Sequence, residues 1–258
     1  MPIPTHWMAY IVPALLIATR LSGVLLTAPL FGAEAAPARV KAALVAGVTF
    51  VLLPATPPAI ANAGVISWLG AGLRELVIGA LLGLAMQIVF EAAQLAGSVA
   101  GFQLGLGLES AIDPTTQADT TVLATLHQLV VLYVFLQLGV HRWILRALAQ
   151  SFTTLPVGAS LGALTASDLL HFAGSLWIWG LQLVLPVLLV TLLIDVALGF
   201  FAKAAPQLPV IFFGIPIKAL CGYVVLMAAV RFWPGILQRE FAQALQFFTR
   251  HAGVAHLG

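Results

Sequence analysis

Charged side chains lodged inside membrane-length apolar runs constrain this chain more than any other feature. Arg20, Arg74, Glu75, Glu91, Asp195 and Lys218 all sit within or at the edges of such runs. A charge at mid-bilayer costs roughly 2.5–3.5 kcal/mol on translocon scales. Arg20, Glu91, Asp195 and Lys218 alone, facing lipid without partners, would cost on the order of 10 kcal/mol. A chain that keeps them must bury them against its own helices, against partner subunits or around a water-filled path. A channel, a transporter and one piece of a larger membrane assembly are the classes left standing.

Composition removes the other broad classes. Hydrophobic residues fill 61% of the 258 positions and charged residues only 8%, against about 25% charged in a soluble domain. The net charge of +2 comes from unclustered basic residues, so nucleic acid is not an expected partner. Cys221 is the single cysteine, which excludes an intramolecular disulfide and a cysteine-based metal site. The first cation, Arg20, lies deep inside the first apolar segment. That segment therefore reads as a retained helix and not as a cleaved signal peptide.

About 20 residues of helix cross a bilayer core, and residues 10–29, 68–100, 122–140 and 210–230 are long enough. Residues 40–54 are apolar but too short, which suits an interfacial or re-entrant helix or one packed wholly in protein. Thr165 and Asp168 have capping-box spacing, so a helix is expected from there to about residue 201. Pro54, Pro57 and Pro58 end one helix, and residues 205–209 make a compact hairpin connection because proline lacks the donor that continues a helix. Pro186 and Pro216 fall inside apolar runs and are expected to kink them. The tail 234–258 is more polar and is expected to form an amphipathic surface helix. The fold class is thus all-α: one multi-helix, membrane-associated subunit over residues 1–258, with kinked helical hairpins built to pack in a hetero-oligomeric assembly.

Three groups of residues stand out. Gln87, Glu91, Gln94 and Ser98 recur at i, i+4, i+7 and i+11, which puts them on one stripe of a helix. Gly79 and Gly83 extend the stripe backwards and invite close backbone approach. The stripe suits a water-filled path or a subunit seam, and equally a helix–helix contact with internally satisfied amides. Next, Gly101–Gly107 is glycine-rich and leads through Leu108, Glu109 and Ile112 to Asp113-Pro114. A phosphate loop would need a Walker lysine in a strand–helix frame, which this segment lacks. Phe102, Leu104, Leu106, Leu108 and Ile112 make it too apolar to rest in water, so it is expected to pack inside a protein cavity. Finally, Asp195 and Lys218 lie about 12 and 11 residues either side of the proline turn, at roughly equal depths of 16–18 Å in a hairpin. A buried ion pair is geometrically possible there. So is a placement in which each faces a different subunit.

No catalytic, cofactor-binding or metal-ligating residue is expected. There is no H-E-x-x-H pair, the histidines are scattered, and no nucleophile turn is expected.

The strings Leu26-Thr-Ala-Pro-Leu-Phe-Gly32, Pro37-Ala-Arg-Val-Lys41 and Gly101-Phe-Gln-Leu-Gly105 resemble the FliR family of flagellar export-gate proteins. His141-Arg-Trp-Ile-Leu145, Leu155-Pro-Val-Gly158, Ala205-Pro-Gln-Leu208 and Phe213-Gly-Ile-Pro216 extend the resemblance over nearly the whole chain. It implies a core subunit of the flagellar type III export gate in the bacterial inner membrane. Expected partners are FliP-like and FliQ-like subunits and FlhB, with unfolded flagellar proteins as the transported substrates. It also implies a helical assembly standing largely above the membrane plane. By position, the family's channel plug corresponds to about residues 105–120 here: Gly105, Leu106, Gly107, Leu108, Glu109, Ile112, Asp113 and Pro114. The injectisome counterpart shares this architecture. A stand-alone proton-coupled transporter, with Glu91 and Asp195 carrying protons, is the alternative from another class.

Overall fold

The computed structural model describes residues 5–29, 37–55, 65–106, 121–155, 165–205, 207 and 210–251. Every regular element among them is helical. In chain order they are α1 (Thr5–Thr27), α2 (Ala38–Leu52), α3 (Val65–Gln103), α4 (Val122–Gln137), α5 (Val140–Thr154), α6 (Ala166–Ala204), α7 (Val210–Val230) and α8 (Trp233–His251). α1, α3, α6 and α7 are long and apolar enough to cross a membrane, and α4 with α5 forms a fifth candidate broken at residues 138–139. At 39 residues each, α3 and α6 run about 58 Å, nearly twice a hydrocarbon core of ~30 Å. Neither can lie wholly within lipid if it stands upright.

Local chemistry sets several of these boundaries. At the start of α6 the Thr165 backbone N–H donates to Asp168 Oδ2 at 3.0 Å, and the Asp168 N–H donates to Thr165 Oγ1 at 3.3 Å. These are the two reciprocal bonds of a capping box. Thr121 Oγ1 accepts from the Ala124 N–H at the start of α4. The apolar run expected to span 122–140 ends at residue 137, because Gly139 turns the chain at φ +67° and a new helix, α5, begins. Pro186 and Pro216 are both accommodated inside continuous helices.

Contacts group the chain into two compact units. The first comprises Met1–Ile88, Gly139–Ala173 and Phe241–Gly258; the second comprises Val89–Leu138 and Gly174–Glu240. In the first, Ile17, Leu21 and Val24 of α1 pack with Ile78 and Leu82 of α3, with Leu148 and Phe152 of α5, and with Phe248 of α8. Here α1 and α3 meet backbone to backbone. A Cβ on Gly79 would overlap the Arg20 carbonyl oxygen, and one on Gly83 would overlap Thr27 Oγ1. Thr27 Oγ1 crosses the seam to donate to the Ala80 carbonyl at 3.0 Å. Among apolar helices, such small-residue contacts and interhelical hydrogen bonds supply the attraction that the hydrophobic effect supplies in water.

In the second unit Phe90 and Phe135 pack edge to face at 5.7 Å. Gly97 lets α3 press against the Ala124 backbone, and Leu183, Val184 and Val187 of α6 are buried. The C-terminal stretch forms the helix expected of it. It is amphipathic: α8 buries Trp233, Leu237, Phe241, Ala244 and Phe248 along one face and leaves Gln238, Gln243 and Gln246 exposed, a stripe of helical period.

Candidate functional site

The most enclosed charges are Arg20 and Glu75, both 0% exposed in the first unit. Arg20 Nε donates to Glu75 Oε2 at 2.5 Å, Nη1 donates to Ser151 Oγ at 2.8 Å, and Nη2 donates to the Leu155 carbonyl at 3.2 Å. The guanidinium also lies 4.2 Å from the centroid of the Phe152 ring. One side chain thereby ties α1 to α3 and to the end of α5. Sequence reasoning had both charges but did not pair them, since 55 residues separate them. The usable signal was their opposite sign in two separate apolar runs.

In the second unit, Lys218 Nζ of α7 donates to Asp195 Oδ2 of α6 at 2.7 Å. The two lie across the turn between those helices, at the matched depth that their spacing gives. The pair is not buried in the isolated chain: the Lys218 and Asp195 side chains are 18% and 45% exposed. It lines a cavity of about 450 Å³ together with Gln103, Gly105, Gly199 and Gly214.

Gly105 joins this cavity to the glycine-rich segment. Its φ of +82° is a conformation glycine holds without strain, and it ends the helical path of α3. Just before it, Leu104 is buried against Gly222, where any Cβ would overlap the leucine. Leu106 is exposed. Gly107, Leu108, Glu109, Ile112, Asp113 and Pro114 lie outside the described residues.

Gln87, Glu91, Gln94 and Ser98 are all half-buried along α3. Gln94 accepts a 2.7 Å hydrogen bond from Gln128 Nε2 of α4, so this part of the stripe is engaged inside the chain. Two further polar groups are buried, of which Glu240 escaped sequence reasoning. His127 Nδ1 donates to the Leu123 carbonyl at 2.7 Å, the ring packs tilted against Trp233 at 4.6 Å between centroids, and Nε2 is left without a partner. Glu240 on α8 is 2% exposed with neither carboxylate oxygen bonded. Burial raises its pKa to about 8, against the lowering pull of neighbouring Arg239.

One expectation needs correcting at the level of sequence. Gly158-Ala159-Ser160-Leu161-Gly162 has the G-x-S-x-G spacing of a nucleophile turn. That motif works on a strand–turn–helix frame. These residues lie outside the described ones, and no strand occurs among the described residues.

The described residues thus present apolar helices, interhelical ion pairs and, in the second unit, a glycine-ended cavity. A family model described as "Bacterial export proteins, family 1" matches residues 11–244. The chain belongs to the FliR family of bacterial export proteins. It is 33% identical over 212 residues to the flagellar biosynthetic protein FliR of Escherichia coli K12, covering 82% of this chain and 81% of that one. The Pectobacterium carotovorum FliR is 34% identical over 235 residues, covering 89% and 88%. At 27% identity over 222 residues, the Bacillus subtilis FliR covers 84% and 85%. Against these family matches, the three polar arrangements fall in α1, α3, α4, α5, α6 and α7, all inside the matched span.

Proposed function

We propose that this FliR-family chain is a core subunit of the flagellar type III export gate in the bacterial inner membrane. It helps to form and to plug the channel through which unfolded flagellar proteins leave, alongside FliP-like and FliQ-like subunits and FlhB. The observation that carries the reading is the family match, which runs through nearly every helix. The geometry supports it from a second side. α6 and α7 expose a run of large apolar side chains, among them Leu189, Leu193, Phe200, Phe213 and Met227, beside the half-exposed Asp195. Lipid suits the former and penalises the latter; a partner helix suits both. Such a subunit performs no bond chemistry. It contributes packing surfaces, a cavity and a loop.

In this reading Gln87, Glu91, Gln94 and Ser98 form a seam, Asp195 and Lys218 become a buried pair on assembly, and residues 105–120 occupy the channel at rest. The test is co-expression. The chain should purify in fixed proportion with the FliP-like and FliQ-like subunits. Purification as a stable solitary protein that binds a small solute would instead favour the transporter reading.

A further inference from the structure

Within the second unit, one side chain fastens the end of α3 to α7. The Gly105 N–H donates to the Phe102 carbonyl at 3.2 Å, and the Leu106 N–H donates to the Gly101 carbonyl at 2.9 Å. These are the two bonds of a Schellman turn, with glycine at its left-handed position. Leu104 is the last side chain before that turn and is 3% exposed. It fills a notch in α7 that exists because residue 222 is glycine. A Cβ there would overlap Leu104 Cδ2, and Thr191 Cγ2, 3.6 Å from the same point, walls the notch. Thr191 fixes that methyl by returning its hydroxyl to the Val187 and Leu188 carbonyls. Leu104 also lines the cavity of about 450 Å³. At ~30 Å³ for each water, that is the space of about fifteen waters, so a leucine side chain can swing into it. Gly199 keeps one wall of the cavity open, since a Cβ on it would meet nothing within 4 Å.

We propose that Leu104 is a positioning residue with two seats. In the Gly222 notch it holds the end of α3 on α7 at rest; in the adjoining cavity it releases that end when substrate passes. The chain leaves the Schellman turn at Leu106 and continues into the segment proposed to occupy the channel, so the inference deepens that reading and rests on it. A contact that served packing alone would not need an empty seat beside it, because protein interiors leave few voids larger than a water molecule. Nor would it need glycines inside helices, where they are poor formers; Gly199 lies inside α6 and Gly222 inside α7. Two discrete seats for one packed side chain are the kind of bistable arrangement that turns a small displacement into a switch.

Two substitutions remove one seat each. Gly222→Ala fills the notch and spares the cavity. Only the tip of one side chain has to move, so the gate should assemble, and its resting ion conductance in a planar bilayer should rise at least fivefold. Gly199→Leu fills the cavity and spares the notch. Conductance should then stay within twofold of the parent, while export of flagellar proteins from cells falls at least tenfold. Where Gly199→Leu does not assemble, a tether decides: Leu104→Cys with Gly222→Cys in a Cys221→Ser chain. Leu104 Cγ, where the sulfur would stand, is 3.4 Å from the Gly222 Cβ position, near the reach of a disulfide. Oxidation should pin residue 104 in the notch and cut export at least tenfold, and reductant should return it to within twofold of the unoxidised value, a reversal that a folding defect would not give. Unchanged conductance in an assembled Gly222→Ala gate, or undiminished export with residue 104 tethered, overturns the proposal. Failure of the channel-filling reading looks different. Shortening residues 105–120 would then leave conductance at the parent level, and export by the tethered chain alone would decide whether Leu104 has two seats.

Discussion

The sharpest consequence of the Arg20–Glu75 pair is an asymmetry between its two single substitutions. Glu75→Gln keeps the shape of the side chain but removes its charge. It strands a guanidinium that cannot give up its proton among Ser151 Oγ, the Leu155 carbonyl and the Phe152 ring. Breaking a buried pair from one side typically costs about 3–5 kcal/mol. At roughly 2–4 °C per kcal/mol for a chain of this size, the unfolding temperature should drop on the order of 10 °C. Arg20→Met forfeits the same pair, two further hydrogen bonds and the aromatic contact, yet the carboxyl left behind can take up a proton. Its cost should be smaller, about 2–4 kcal/mol. Arg20→Met with Glu75→Leu replaces both charges by apolar groups and should return to within ~2 kcal/mol of the natural chain. The assay is thermal unfolding of the purified full chain in detergent, followed by intrinsic tryptophan fluorescence. A Glu75→Gln chain within ~1 kcal/mol of the parent, or strict additivity in the double variant, would refute this account of how α1, α3 and α5 are held.

Other outcomes follow from the remaining polar groups. Lys218→Met should barely move the isolated chain, where the pair is half exposed and worth ~1 kcal/mol or less. In the assembled gate it should lower recovery of the complex strongly, while Asp195→Asn with Lys218→Met should be less harmful than the sum of the singles; a strictly additive pair in the assembly would argue against burial there. Glu240 holds a proton up to about pH 8, whereas its ordinary value is 4.5. The unfolded chain therefore releases that proton first, and stability falls as pH rises from 4.5 towards 8, by about 3 kcal/mol at pH 7. Glu240→Gln should raise the unfolding temperature at pH 7 to 8 and flatten that slope; an unchanged slope would show the carboxyl to be solvated. Shortening residues 105–120 should leave the gate assembled but raise resting ion conductance when the partner subunits are present. Normal conductance would return the segment to an ordinary connector.

Much of the helical frame was legible in the sequence because apolar length and proline punctuation are local signals. The α6 start was readable from Thr165 and Asp168 alone, and its capping bonds are both made. The meeting of Asp195 and Lys218 was geometrically open because a single tight turn relates them and equal spacing gives equal depth. The Arg20–Glu75 pair had no such symmetry: α2 and two connections intervene, so only tertiary packing brings the charges together. Helix α5 was missed for a different reason. Its buried face, Val140, Ala147, Leu148, Ser151 and Phe152, alternates with Arg142 and Arg146, a pattern that a search for uniformly apolar spans passes over. The same periodic pattern made the amphipathic character of α8 legible in the tail.

The central claim is that flagellar proteins leave the cell through a gate containing this chain. Deleting its gene in the native bacterium and assaying the medium for flagellar filament and hook proteins tests that claim most directly. The account predicts that those proteins stay inside cells that otherwise grow normally, and that a plasmid copy of residues 1–258 restores their export. Normal export and intact filaments in the deletion strain would contradict it.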